Sequence, residues 1–81
     1  MKKFIVFTFN TDMEEVIEDL GGYEQFDAIL EANAYNKLKP YAQVVFETSH
    51  QEEAEKEALN FFEKHKSDVF IYDIESNCIY N

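Results

Sequence analysis

Residues 3–9 read Lys3, Phe4, Ile5, Val6, Phe7, Thr8, Phe9. The run is β-branched and aromatic, and both of its alternating faces are apolar. It reads as a strand covered on both sides or nearly so. A segment of this kind needs packed layers around it, so the fold must be built on a sheet.

The residues after it switch to a helical period. Asn10, Thr11 and Asp12 supply turn and cap chemistry, and Thr11 with Glu14, or Asp12 with Glu15, has the capping-box spacing. Met13, Val16, Ile17 and Leu20 then recur on one side of a helix, which Gly21 and Gly22 end. A second helical pattern opens near Tyr23 with Phe26, Ile29 and Leu30 inward, and ends between Ala32 and Asn36. Pro40 pushes Lys39 toward an extended conformation.

Residues 41–48 alternate as a half-buried strand, with Ala42, Val44 and Phe46 on one face and Tyr41, Gln43, Val45 and Glu47 on the other. Ser49 and Glu52 have capping-box spacing for a helix running to about Lys66, with Ala54, Ala58, Phe61, Phe62 and His65 on its apolar side. Lys64 and Lys66 put positive charge at its C-terminal end. Residues 69–74 form a further strand, 75–77 a turn, and Cys78 to Tyr80 a short returning strand.

The order is β-α-α-β-α-β-β over one small domain, residues 1–81. The expected class is α+β, a two-layer sandwich with a mixed three- to four-stranded sheet and helices mainly on one face. Residues 41–74 form a β-α-β crossover, whose two strands run parallel. A ferredoxin-like arrangement would need an extra strand around residues 33–39.

Sites for catalysis are hard to assemble from this chain. His50 and His65 stand at opposite ends of one helix, about 22 Å apart. Cys78 has neither a helix start nor a histidine beside it in sequence, and reads as a half-buried strand residue. Ser49 reads as a cap rather than a nucleophile. The sequence has no CxxC, no HExxH, no calcium loop and no phosphate loop. The expectation is a protein that is not an enzyme and uses no metal or cofactor.

Charge narrows the partners. Seventeen acids face seven bases, all lysines, for a net charge of −10. Such a body would repel a phosphate backbone or an anionic bilayer, so neither direct nucleic-acid nor membrane binding is expected. No apolar run approaches a membrane span, and Lys2 and Lys3 precede only six apolar-rich positions, so no secretory signal is expected. With one cysteine, the chain is expected in the cytoplasm.

Between Phe4 and Asn36 there are eight carboxylates and no base. Glu14 and Glu18 are four apart on the first helix, as are Glu15 and Asp19. Glu24, Asp27 and Glu31 form a stripe on the second, opposite Phe26, Ile29 and Leu30. The third long helix instead interleaves its acids with Lys56, Lys64 and Lys66. The uncompensated block (Glu14, Glu15, Glu18, Asp19, Glu24, Asp27, Glu31) is the candidate partner-binding surface, meeting a basic protein surface that otherwise holds nucleic acid. In size, acidity and lack of arginine the chain is similar to small phage-encoded inhibitors of host defence, including anti-CRISPR proteins. That resemblance is one of type and is carried by no motif. The competing readings are a solvated face that only keeps the protein soluble, and a homodimer or regulatory domain working through an open sheet face displaying Tyr41, Val45 and residues 69–74.

Overall fold

In the computed structural model, which describes residues 3–80, the doubly apolar strand lies inside the sheet. Lys2, used in reading the N-terminus, lies outside the described residues. β1 (Phe4–Phe9) is flanked by β2 (Ala42–Thr48) and β3 (Phe70–Asp73), and β4 (Cys78–Tyr80) pairs with β3 at the far edge. All three pairings are antiparallel, so the sheet is not mixed. β2 and β3 do run parallel, as their crossover requires, but β1 sits between them and opposes both. The interior position lets both apolar faces of β1 be covered.

Alternation along β1 divides the core in two. Ile5, Phe7 and Phe9 face α1 (Met13–Asp19), α2 (Tyr23–Glu31) and the short α3 (Tyr35–Leu38), packing with Val16, Ile17, Phe26, Ile29, Leu38 and Phe70. Phe4 and Val6 face α4 (Gln51–His65), packing with Ala54, Val69 and Ile71. The α+β class and the element order stand. Three of the four helices share one face as expected, but α4 adds a partial third layer on the other.

Where a ferredoxin-like arrangement would need a strand, the chain forms α3. Lys39 keeps helical dihedrals (φ −51°, ψ −41°) despite preceding Pro40, contrary to the sequence expectation. Lys39 N–H donates to Tyr35 O at 2.8 Å and Tyr41 N–H to Leu38 O at 2.9 Å, closing a turn that leads straight into β2. Fully buried Leu38 anchors it.

β2 departs from simple alternation. Phe46 opposes Val6 and Val44 opposes Phe7, which leaves Val45 as an extra residue in a bulge. Ala42 therefore packs with the α1–α3 core, while Val45 and Phe46 both pack with the α4 core. Val44 is exposed, as is Phe62, which lies beside the buried stripe of α4 rather than on it.

The caps also shift. Asp12 is the N-cap of α1 without a side-chain cap bond; Thr11 Oγ1 instead donates to Glu15 Oε2. At α4 the expected Ser49–Glu52 box does not form. Thr48 Oγ1 donates to Glu53 Oε1 at 2.9 Å and accepts from His50 N–H at 3.2 Å. Thr48 is the buried member of this segment, so its hydroxyl must be satisfied locally. Gly21 and Gly22 (φ 105° and 106°) end α1 as expected, with Gly22 N–H donating to Ile17 O at 2.8 Å.

Candidate functional site

Val16 and Ile17 turn α1 toward the sheet, and Phe26 and Ile29 turn α2 the same way. The two helices pack against each other in one layer. Glu14, Glu15, Glu18, Asp19, Glu24, Asp27 and Glu31 are all exposed on its outer surface. The fold thus brings the acids of both helices to one side of the molecule.

None of the seven is neutralised. Among the described residues, the one ion pair closer than 4 Å is Lys3–Glu75 at 3.0 Å, far from these helices in sequence. Lys37 and Lys39 follow on α3 and its cap but pair with none of them. The lysines of α4 form no such pairs either, so the contrast between the two halves is one of composition, not of formed salt bridges.

Two of the acids stand where they harm their own helices. Asp19 is the last residue of α1 and Glu31 the last of α2, and neither helix has a base in its final turn. A helix C-terminus carries partial negative charge, and an anion there costs about 0.3–1 kcal/mol. Glu14–Glu18, Glu15–Asp19 and Asp27–Glu31 are like-charge pairs at i, i+4, each costing a few tenths of a kcal/mol more. Helix stability accounts for Glu14, Glu15 and Glu24, which lie in first turns, but not for Asp19 and Glu31.

Tyr23 belongs to the same surface and was not singled out in the sequence. It is 68% exposed, and Asp27 and Glu31 follow it at i+4 and i+8. Its spacing gave no signal of this: Tyr23 stands three residues before Phe26 and seven before Leu30, at the edge of the inward stripe, and it is exposed because it is the first residue of the helix. Exposed tyrosine amid charge is a frequent anchor of protein interfaces.

The groups that could carry chemistry remain dispersed. His50 caps the start of α4, and His65, at its end, lies against Phe61 with ring centroids 4.3 Å apart. Cys78 is exposed rather than half-buried, because it starts the edge strand β4 and its Sγ points to Ser76 O at 3.6 Å. No three His, Cys, Asp or Glu side chains converge into a metal-binding group among the described residues. No described helix is long and apolar enough to cross a membrane.

The open sheet face expected for self-association does not exist in that form. Tyr41 packs with the α1–α3 core and Val45 with the α4 core, so they do not share a surface. The bulge at Val45 and the placement of α4 separate them.

Comparison with protein-family models, curated proteins and solved structures finds no match for this chain.

Proposed function

We propose that this protein is a non-catalytic binding protein that inhibits a nucleic-acid-handling partner by covering its basic surface with the α1–α2 face. The observation that carries the reading is the set of seven exposed, unpaired carboxylates, two of them placed against their own helix dipoles. Charge retained at a cost to the fold is what a surface selected for a cationic partner would look like. Carboxylates on adjacent helical turns stand where phosphates would otherwise lie, and Tyr23 supplies an aromatic contact among them. The site of action is the cytoplasm, where nucleic-acid-binding proteins are accessible.

The test is comparative capture from lysate of the source organism. Wild-type protein is compared with Glu24→Gln/Asp27→Asn/Glu31→Gln and with Glu52→Gln/Glu57→Gln/Glu63→Gln. Glu53 is left intact in the control because it bonds Thr48. The reading expects one partner retained by wild type and by the α4 variant and lost by the α2 variant, and expects that partner to release an oligonucleotide when the acidic protein is added. Equal capture by both variants, or a partner whose oligonucleotide binding is unaffected, contradicts it.

A further inference from the structure

α4 packs chiefly over β1, β2 and β3 and meets β4 only around Tyr80, where Gln51 and Glu55 stand, which leaves a gap on the β4 side of that face. The gap is a groove of about 350 Å³, walled by Ala58, Leu59 and Phe62 of α4 and floored by Val69, Ile71 and Tyr80. That is near the lower end of ordinary binding cavities, ~300–1,000 Å³. Leu59 is 57% exposed and Phe62 46%, so two large apolar side chains face solvent at its wall. A helix otherwise rich in Glu and Lys has no solvation reason to present them.

Two further features define what would fill it. The Tyr80 hydroxyl is buried with the Gln51 side chain beside it, so the floor offers an occupant the aromatic ring and not a polar atom. The ionic side chains on the lining are Glu55 and Asp68, both carboxylates, and no base joins them. A second copy of a chain with net charge −10 would be repelled from such a rim.

We propose that this groove docks an amphipathic segment of a partner, with apolar anchors at helical spacing and lysine or arginine flanks. The apolar side chains fill the space between Phe62 and Tyr80, and the flanking cations meet Glu55 and Asp68. Helix-in-groove recognition has this division of labour, with buried anchors for affinity and charges for orientation. The groove is on the opposite face of the sheet from α1 and α2, and its residues are not those of the acidic surface.

The experiment is selection of random 16-residue displayed peptides on the immobilised full chain, with counter-selection on Leu59→Ser/Phe62→Ser. Both positions are exposed enough for that variant to fold, which circular dichroism checks. Enriched peptides should carry at least two large apolar residues at i, i+3 or i+4 and a net positive charge. Their affinity should fall about tenfold on Leu59→Ser/Phe62→Ser. It should fall about threefold on Glu55→Gln/Asp68→Asn and change less than about twofold on Glu24→Gln/Asp27→Asn/Glu31→Gln. Failure to enrich any peptide, enrichment without positive charge, or equal binding to the Leu59/Phe62 variant overturns the proposal. Concentration-dependent sedimentation of the wild type that the Leu59/Phe62 variant abolishes also overturns it, by giving the groove to a second copy.

Discussion

Leu38→Ala and Phe62→Ala reverse the order of cost that sequence periodicity implies. Periodicity puts Phe62 on the apolar side of its helix and leaves Leu38 in a connecting segment. In the structure Leu38 is 0% exposed within the Phe7, Val16, Phe26 and Phe70 cluster, whereas Phe62 is 46% exposed. Truncating Leu38 removes three buried carbons, about 2.4 kcal/mol of transfer free energy at ~0.8 kcal/mol each, before any cavity term. With that term the loss should be about 3–5 kcal/mol. An 81-residue domain has only about 4–12 kcal/mol in total, so the variant should be marginally folded. Phe62→Ala opens no enclosed cavity and should cost about 1 kcal/mol. Urea melts followed by far-ultraviolet circular dichroism suit a chain without tryptophan, and the m-value should stay constant. If Phe62→Ala costs as much as Leu38→Ala, α3 is not seated in the core and the account of that layer is wrong.

Thr48→Val should destabilise by about 1–2 kcal/mol, because it removes the hydroxyl that bonds Glu53 and His50, while Ser49→Ala should cost under about 0.5 kcal/mol; chemical denaturation of the pair decides which hydroxyl secures the entry to α4. Burial, with Glu55 and Asp73 nearby, raises the Tyr80 pKa above its usual 10.0 against a smaller lowering by the Gln51 side chain. Its contribution to stability is therefore complete below pH 10 and is lost as pH rises through the folded-state value. Tyr80→Phe should remove that contribution, leaving the one from Tyr35, and at neutral pH should be neutral or stabilising by up to about 1 kcal/mol; pH-dependent melts that match wild type would refute this. Asp19→Asn/Glu31→Gln should raise the melting temperature by about 2–6 °C by relieving both helix ends, and calorimetry showing a decrease would remove the argument that these charges oppose the fold.

The parts of this fold that could be read from sequence are those set by local period. β1 declared its central place through two apolar faces, and Val16, Ile17, Phe26 and Ile29 declared theirs through helical spacing. The seven candidate carboxylates were readable for the same reason, as the complement of those stripes. What escaped depends on tertiary context. Periodicity tells which side of α4 meets a sheet but not which face of the sheet, so the split into two cores was hidden. The bulge at Val45 reverses alternation within one residue, and Lys39 follows its hydrogen bonds rather than the bias of Pro40. Thr48 displaced Ser49 because burial, invisible in a capping motif, decided which hydroxyl needed a partner. Tyr23 and the Leu59–Phe62 groove were missed because an exposed aromatic and an uncovered wall are defined by what does not pack on them.

In the proposed function the α1–α2 face meets its partner electrostatically. The measurement closest to it is the association rate constant with the captured partner at rising salt, for wild type and Glu24→Gln/Asp27→Asn/Glu31→Gln. Steered association falls steeply as ions screen charge, with a Debye length of ~10 Å at 0.1 M. Wild type should lose about tenfold or more in association rate between 0.05 and 0.5 M salt, from a faster low-salt value than the variant, whose slope should be visibly shallower. Parallel slopes with equal low-salt rates would contradict the account and leave these carboxylates as a solvated surface.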